Sequence, residues 1–497
     1  MTEEKINQKQ AGFEVKTFPI PFALNEIKDN IYLSKKDNDS KASKEQIINQ
    51  AFKFHSQGNI KEAAKLYQYF INQGFTNQGV FSNYGIILKN LGKSEEAELS
   101  TRKAIELNPD YAEAHYNLGN LLISLDKLEE AEISTRKAIE LKPDWPTYYV
   151  QLGLILLDLG KLLEAEEIIR RAINIKPDNS YAYFNLSIIE LLNGDYESGL
   201  EHYEFRWKGA DNSFIQFHPI IKRIDNAQLE KGEKLLVVSQ QGLGDTLLFM
   251  RYIPYIRNQG IDVSFHVQPK LLSLIKASGI DQNPLTPEQV TKVSEGKWMP
   301  LFFLNRYLKI NPINPIITER YIYSSDELVE KWKNIFSKEK RPIVGINWQG
   351  NPEAEKLYHQ GRSIPLETFS ILPEHNEVTL VSLQKGFGSE QLDHCSFKNK
   401  FVECQPQIDS TWDFLENAAI IENCDLIITS DTSIAHLAGG MGKPVWVLLK
   451  DIPGWIWGLK SESTFWYPSM KLFRQKERHN WDEVMERVSN KLHLSFI

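Results

Sequence analysis

The residues best suited to chemistry lie in one short segment, Ser430–His436. It follows Leu426–Thr429, an apolar and β-branched run of the length of a buried parallel strand. Its short polar residues, which suit the start of a helix, include Asp431, Thr432 and Ser433. A loop at the carboxyl end of a strand offers free backbone N–H groups and a helix dipole, so a phosphate is its natural ligand, with His436 as a further donor. The alternative is an ordinary strand–helix–strand crossover with a capped helix and a buried histidine.

A second segment joins a glycine loop to an acid. Leu235–Ser239 predicts a strand, and Gly242, Gly244 and Asp245 follow it before an amphipathic helix predicted over 247–256. Glycines in such a loop also serve ordinary tight turns. The dipole at a helix start favours an ionised carboxylate, so both a helix cap and a catalytic base fit Asp245.

The predicted elements would bring these segments to one edge of a sheet. Strands are expected to end near residues 348, 384, 431 and 450, and parallel strands bind ligands at their carboxyl ends. Trp348 and Gln384 lie at two of these ends, and Arg362 precedes a helix expected near Leu366. Another strand is expected at Val263–Val267, whereas residues 281–320 show no clear pattern, so the first α/β half is expected to be short.

The N-terminal region repeats every 34 residues from about residue 44. The spacing holds for four sets of residues: Ala104, Ala138 and Ala172; Pro109, Pro143 and Pro177; Gly85, Gly119 and Gly153; and Ala63, Ala97, Ala131 and Ala165. The region resembles tetratricopeptide repeats, whose unit is a helix pair of this period. A solenoid of this kind has a concave groove for a protein or peptide partner. Polar side chains of the groove are expected either to bind a peptide backbone or only to be solvated: Asn83, Asn117, Asn120 and Asn185.

Composition excludes several classes of protein. The chain has 497 residues, of which 42% are hydrophobic, and a net charge of −8, which gives no global attraction for nucleic acid or an anionic membrane. Its three cysteines lack paired spacing, which indicates a reducing compartment. The polar N-terminus lacks a secretory signal, and no apolar run approaches the ~20 residues of a transmembrane helix. A cytoplasmic protein without a transmembrane segment or nucleic-acid partner is expected.

Five motifs in the remainder of the chain carry a second resemblance. They are QGLGDTLLFMRYIPYI, INWQGNP, GRSIPL, SDTSIAHLAGGMGKPVWVLL and WYPSMKLFRQ. Together they resemble the heptosyltransferase-like glycosyltransferase family 9, and in particular its members fused to tetratricopeptide repeats. The resemblance implies a GT-B fold, in which two Rossmann-type α/β halves follow the α-solenoid.

The resemblance also implies the chemistry. Asp245 would be the general base of an inverting glycosyl transfer to an acceptor hydroxyl. The nucleotide-sugar donor would lie on the second half, against the following residues: Gly242, Gly244, Trp348, Arg362, Gln384, Asp431, Thr432, Ser433 and His436. Arg362 would neutralise phosphate charge, and neither a metal nor a cofactor is expected.

Gln240 departs from the glutamate common at its position in the repeat-fused relatives, which removes a possible second acid. The short first half also argues against heptose transfer to a lipid A core. A non-catalytic alternative therefore stays open, in which the repeats are a scaffold and the second part is structural or senses a nucleotide sugar. The expected organisation is a poorly ordered lead-in (1–43), a solenoid (44–207), a linker (208–233), a first α/β half (234–320), a second half (321–475) and a C-terminal helix packing back (476–497).

Overall fold

The computed structural model describes residues 43–208, 219–224, 228–239, 242–357 and 361–496. The expected lead-in, apart from residue 43, much of the expected linker, and Gln240 lie outside the described residues. Inter-residue contacts divide the chain into two compact units. One contains the residues up to Ile189 and those after Glu204 up to residue 208, and the other contains Glu190–Glu204 and residues from 219 onward.

The N-terminal helices follow the 34-residue period closely. They are α1 (Lys44–Ser56), α2 (Ile60–Asn72), α3 (Gln78–Asn90), α4 (Ser94–Leu107), α5 (Ala112–Ser124), α6 (Leu128–Leu141), α7 (Pro146–Asp158), α8 (Leu162–Ile175), α9 (Ser180–Asn193) and α10 (Tyr196–Tyr203). A Cβ on Gly119 would overlap Thr135 Oγ1, so the glycine allows α5 and α6 to approach closely. The turns within successive helix pairs share a positive φ at Gly58, Gly92, Asp126, Gly160 and Gly194.

The solenoid was expected to extend to residue 207, but α10 groups with the second unit. Its aromatic side chains explain this, because Tyr203 stacks on Phe302 at 4.4 Å and Tyr196 packs edge-on against Trp455 at 6.1 Å between ring centroids. The helix is therefore repeat-like in sequence, but its apolar contacts lie in the α/β unit.

The first sheet of the α/β unit has four parallel strands in the order β1-β4-β2-β3. The strands are β1 (Lys222–Arg223), β2 (Lys234–Val238), β3 (Asp262–His266) and β4 (Lys297–Pro300), and the helices are α11 (Leu243–Phe249), α12 (Tyr252–Asn258), α13 (Leu272–Ala277), α14 (Pro287–Val290) and α15 (Phe303–Tyr307). Two expectations need correction. β1 lies within the predicted linker, where two polar residues give no strand pattern, and the helix predicted over 247–256 begins at Leu243 and divides at Met250 and Arg251.

The second sheet has five parallel strands in the order β6-β5-β7-β8-β9. Its strands are β5 (Ile343–Asn347), β6 (Thr379–Ser382), β7 (Leu426–Ser430), β8 (Val445–Leu449) and β9 (Met470–Arg474). The helices of this half are α16 (Asp326–Phe336), α17 (Pro352–Leu357), α18 (Ile371–His375), α19 (Gln405–Asp409), α20 (Phe414–Glu422), α21 (Ser433–Gly440) and α22 (Trp481–Phe496). The sequence did not predict β9, and the helix expected near Leu366 is a 3-10 turn over Leu366–Ser370 followed by α18.

Candidate functional site

Each sheet of the α/β unit has a strand at which the order of connection reverses. β2 lies between β3 and β4, and β5 lies between β6 and β7. In each sheet the chain therefore passes from the central strand to one neighbour and then crosses back to the other. Ligands of open α/β sheets bind outside the carboxyl ends of the strands at such a point. The glycine loop follows β2, and residues 431–436 follow β7, beside β5. Both segments singled out by the sequence therefore border a switch point.

These two segments touch each other. A Cβ built on Gly244 would lie 2.9 Å from His436 Cδ2 and 3.7 Å from the Ser433 Cα. Any side chain at residue 244 would have to displace the first turn of α21 or the imidazole. Gly244 therefore allows the backbone of α11 to approach α21, and the two halves meet at the predicted site residues.

His436 is buried and neutral. Only 4% of it is exposed, its ring stacks on Trp457 at 5.2 Å, and its Nδ1 lies 3.1 Å from the Tyr467 hydroxyl. Burial lowers the pKa of His436 to about 4; nearby Asp431 opposes this fall and Arg251 adds to it. At neutral pH the imidazole can donate or accept a hydrogen bond but carries no charge.

The Tyr467 contact bears on which nitrogen of His436 holds the proton. Tyr321 donates its hydroxyl hydrogen to the Leu247 carbonyl at 2.7 Å. The Tyr467 hydroxyl is nearer to His436 Nδ1, at 3.1 Å, than to the Tyr321 hydroxyl, at 3.4 Å. This geometry favours donation from Tyr467 to Nδ1, which leaves the proton on Nε2, on the side of the glycine loop.

Arg251 is a buried cation that sequence reasoning did not place in the site. It is 1% exposed and donates to three backbone carbonyls, those of Leu248 (2.8 Å), Ile317 (3.0 Å) and Trp466 (2.7 Å). Its guanidinium also lies 4.5 Å from the ring centroids of Tyr321 and Tyr467. Burial opposes its charge, yet the neighbouring tyrosines raise the pKa of Arg251 above its ordinary value.

Arg251 and Tyr467 belong to two of the quoted motifs, QGLGDTLLFMRYIPYI and WYPSMKLFRQ. An arginine inside an otherwise apolar helical run was the available signal, because a buried guanidinium needs several acceptors. Its contacts join the helix break after α11 to the segment before β9. Arg251 thus positions Tyr467, which in turn contacts His436.

Arg362 reaches the other side of the same loop. Its Nη1 donates to the backbone carbonyl of Asp431 at 3.1 Å, and its Nε pairs with Glu355 at 3.2 Å. A Cβ on Gly350 would overlap the guanidinium. The glycine after β5 thus lets Arg362 lie across the gap between β5 and β7, where a charged guanidinium suits a phosphate.

The remaining polar residues of the loop, Asp431, Thr432 and Ser433, are half-buried and contact different parts of the fold. Thr432 is the N-cap residue of α21, yet its hydroxyl accepts no hydrogen bond from the N–H groups of that helix and donates to Asn347 Oδ1 at 2.8 Å. The Asp431 carboxylate faces Gly454, lying 3.6 Å from where a Cβ would stand. Ser433 begins α21 and is half-buried beside Gly244. Thr432 thus ties β7 to β5, while Asp431 lies next to the loop after β8.

Asp245 lies in the first turn of α11 and is exposed, unlike the residues that follow it. Its carboxylate folds back towards Gly242, where a Cβ would overlap Oδ2. The acid is therefore reachable from solvent next to the contact between Gly244 and His436. This position is compatible with both expected roles of Asp245, a helix cap and a catalytic base.

Two predicted site residues have a different role. Trp348 is fully buried in the core of the second sheet, and its Nε1 donates to the Gly388 carbonyl at 3.1 Å. Gln384 is 3% exposed; its Oε1 accepts from Asn347, Trp348 and Gln349, and its Nε2 donates to the carbonyls of Gln349 and Phe387. Both side chains hold the loops that adjoin the strand ends, and a contact of either with a nucleotide stays a prediction.

The asparagines of the solenoid are also engaged internally. Asn117 donates to Ser82 Oγ at 2.9 Å, Asn83 to the Tyr67 hydroxyl at 3.3 Å, and Asn185 to the Tyr181 carbonyl at 2.8 Å. Gln151, which occupies the same repeat position, donates to the Tyr116 carbonyl. Asn83, Asn117 and Gln151 thus connect neighbouring helices, whereas Asn185 bonds within α9. A peptide would have to compete for these side chains.

Comparison with known proteins bears on the solenoid. Models of the tetratricopeptide repeat match residues 79–111, 101–133 and 146–179. The N-terminal region contains tetratricopeptide repeats. Such repeats stack into solenoids that provide protein-interaction surfaces.

Other similarities are more distant. The chain is 24% identical over 331 residues to Protein FlbA of Caulobacter vibrioides, covering 61% of this chain and 53% of FlbA, so it spans about half the length of that curated relative. The crystal structure of MamA is 22% identical, with 33% of this chain and 90% of MamA covered and a TM-score of 0.30. A thermophilic tetratricopeptide repeat protein of Thermus thermophilus is 16% identical, with 34% and 93% covered and a TM-score of 0.30.

The described residues also bear on membrane and metal binding. None of their helices is both long and apolar enough to cross a bilayer, and they contain no group of three or more His, Cys, Asp and Glu side chains placed to hold a metal ion. Metal-independent chemistry stays a prediction.

Proposed function

We propose that the α/β unit is a GT-B glycosyltransferase of the family 9 type, which inverts the anomeric centre of a nucleotide-sugar donor. The observation that carries this proposal is the contact of Gly244 with Ser433 and His436, because it joins an exposed acid to a loop suited to phosphate. Arg362, which bonds the same loop at Asp431, supports it. The repeats would recruit a protein or glycan-bearing acceptor.

In this mechanism Asp245 takes the proton of an acceptor hydroxyl as that oxygen attacks the anomeric carbon. The bond from the sugar to the diphosphate breaks, and the nucleoside diphosphate leaves with the electron pair. Arg362 offsets the charge that develops on it, aided by the N–H groups at the start of α21. His436, neutral and protonated on Nε2, supplies a hydrogen bond without adding charge.

Variants of two residues test the assignment of roles. Arg362→Ala should weaken binding of nucleoside diphosphates at least about 10-fold, since a charge-assisted hydrogen bond is worth roughly 1.5–3 kcal/mol, as measured by calorimetry. Asp245→Asn should leave that binding within about 2-fold but reduce transfer from a sugar-nucleotide panel by 100-fold or more, since a positioned base contributes roughly 10²–10⁴.

The solenoid offers matched controls. Arg171, paired with Glu167 at 2.7 Å, is an arginine in an exposed ion pair, and Asp144 is an exposed acid. Arg171→Ala and Asp144→Asn should change neither nucleotide binding nor transfer. Equal effects of the control and site variants would contradict the proposed roles.

The alternative is a non-catalytic scaffold whose α/β unit is structural or senses a nucleotide sugar. The salt bridge from Arg362 to Glu355 favours it, because the guanidinium already has a carboxylate partner. Binding of a nucleotide without any transfer in the presence of a broad acceptor panel would support the sensor. Failure of every nucleoside diphosphate to bind at millimolar concentration would leave only the scaffold.

A further inference from the structure

Two large aromatic side chains are exposed at the carboxyl edge of the second sheet. Phe387 and Trp412 each have 59% of their surface accessible, which is unusual for these residue types. Phe387 lies in the loop after β6, and Trp412 lies between α19 and α20. The far end of the Trp412 ring lies 3.8 Å from where a Cβ on Gly386 would stand. Phe387 follows this exposed glycine in the chain and the Trp412 ring lies beside it, and we refer to Phe387, Gly386 and Trp412 as the aromatic edge.

Buried polar groups hold the backbone of the aromatic edge in place. Gln384 Nε2 donates to the Phe387 carbonyl at 2.7 Å. Lys385 Nζ donates to the Ile408 carbonyl, which also accepts from the Thr411 hydroxyl at 2.8 Å. The loop after β6 and the segment before Trp412 are thereby fixed to each other, although both rings are exposed. An exposed ring on an anchored backbone can bind a planar group with little loss of conformational entropy.

The aromatic edge is continuous with the site around Arg362. Gly388 follows Phe387, and its Cα faces the Gln349 side chain, which also accepts from Gln391 Nε2 at 3.1 Å. Gly350 follows Gln349 and faces the Arg362 guanidinium. The strand order β6-β5-β7 agrees with these contacts. It places the loop after β5 between the loop after β6 and the loop after β7.

We infer that the aromatic edge binds the nucleobase of a nucleoside diphosphate whose phosphates lie at Arg362 and the start of α21. This inference rests on the proposed function, which it extends to the base. A flat aromatic surface suits a base because every base has a π-face, and stacking is worth roughly 1–3 kcal/mol per base. Gln384, expected from sequence to flank the nucleotide, acts here as a positioning residue for Phe387.

The test compares a ligand that has a base with one that lacks it. Calorimetry on the full chain would measure ADP, UDP and inorganic pyrophosphate. Trp412→Ala and Phe387→Ala should each weaken ADP and UDP by roughly 5- to 100-fold and leave pyrophosphate unchanged, whereas Arg362→Ala should weaken all three. Trp412→Phe, which keeps an aromatic ring, should retain most of the affinity. It is the control for a loss of affinity that misfolding of Trp412→Ala would cause. Trp145, 53% exposed in the solenoid, gives the control Trp145→Ala, which should alter none of them.

The outcomes separate the two claims. If the unmodified chain binds nucleoside diphosphates and neither Trp412→Ala nor Phe387→Ala changes their affinity, the base lies elsewhere and this inference is overturned while the proposed function stands. Equal weakening of ADP and pyrophosphate by Trp412→Ala would also overturn it, because the loss would not concern the base. If no nucleoside diphosphate binds, both claims fail.

Discussion

The molecule contains the same pair of side chains in two different regions. In the solenoid, His55 Nδ1 lies 2.7 Å from the Tyr67 hydroxyl, and in the α/β unit His436 Nδ1 lies 3.1 Å from that of Tyr467. Both histidines are buried, and burial lowers the pKa of each to about 4. The environment of the second ring nitrogen differs. His55 Nε2 is buried and has no hydrogen-bond partner within the part of the chain that the structure describes, whereas His436 Nε2 lies beside Gly244.

This difference shows that a buried His–Tyr pair does not by itself indicate a site. The pair in the solenoid is made of residues 12 apart in sequence and is completed by Asn83. In the α/β unit, Arg251 donates to the carbonyl of Trp466, which precedes Tyr467 and lies 215 residues from Arg251 in the chain. One is a local feature of the first helix pair, while the other depends on the assembly of two sheets.

The largest expected effect comes from removing Arg251, the buried cation that contacts Tyr467 of the second pair. Arg251→Met should destabilise the α/β unit by roughly 3–6 kcal/mol, because the carbonyls of Leu248, Ile317 and Trp466 would lose their donors at about 1–2 kcal/mol each. Urea unfolding should show the loss in the transition of the α/β unit only. Arg102→Met, at an exposed arginine paired with Glu98 and Glu130, is the control and should cost less than about 1 kcal/mol. A similar cost for both would show that the buried arginine stabilises the fold no more than an exposed one.

Both pairs should respond to pH in the same direction. The folded pKa of about 4 lies below the unfolded value of 6.5, so the unfolded chain binds more protons between these values. The contribution of each neutral histidine to the free energy of unfolding is fully present above pH 6.5 and is lost as pH falls towards 4. The loss is about 2 kcal/mol per histidine at pH 5. His266, whose pKa burial also lowers to about 4, adds to the slope.

Unfolding measured from pH 7.5 to 4.5 would test this. His55→Phe should reduce the slope in the solenoid transition, and His436→Phe in that of the α/β unit. A slope unchanged in both variants would show that other groups govern acid sensitivity.

Ligand binding should separate the two pairs. His436→Asn, which cannot place a donor where Nε2 stands, should weaken nucleoside diphosphate binding about 10-fold, the loss of roughly one hydrogen bond, whereas His436→Gln should retain part of it. His55→Asn and His55→Gln should have no effect. An equal response of ligand affinity at residues 55 and 436 would assign both histidines to structure alone.

The smallest effect should come from the hydroxyls. Tyr67→Phe and Tyr467→Phe should each cost about 1 kcal/mol of unfolding free energy. Only Tyr467→Phe should move the His436 proton between Nε2 and Nδ1, which nitrogen-15 NMR of the imidazole would detect. If His436 keeps its tautomer in Tyr467→Phe, the Tyr467 hydroxyl does not set it.

The sequence predicted what regular spacing or long apolar runs encode. Residues spaced 34 apart indicated the helix pairs, and the run before Ser430 indicated β7. It failed where an element is short and depends on its neighbours, as for Lys222–Arg223 in β1 and for β4, which pairs with both β1 and β2. No local signal distinguishes such residues from a loop.

The same limit applies to the site. Spacing placed Gly244 and His436 on separate loops but could not show their contact, and it placed Trp348 at a strand end without showing that the ring is buried. The sequence predicts that Gln384 flanks a nucleotide, whereas in the structure its amide forms hydrogen bonds with backbone groups of the adjoining loops. Chemical type and strand position can be read from sequence, whereas side-chain direction follows from packing.

The two residues of β1 also determine where the chain can be divided. They pair with Lys297 and Trp298 of β4, and the N–H of Ile224 adds a bond to the Trp298 carbonyl at 2.8 Å. A fragment starting at residue 234, where the apolar pattern of the α/β unit begins, would leave one side of β4 without its backbone partners. An unpaired side of this kind invites pairing with another copy and aggregation. A truncated α/β fragment that remains monomeric should therefore begin before residue 219.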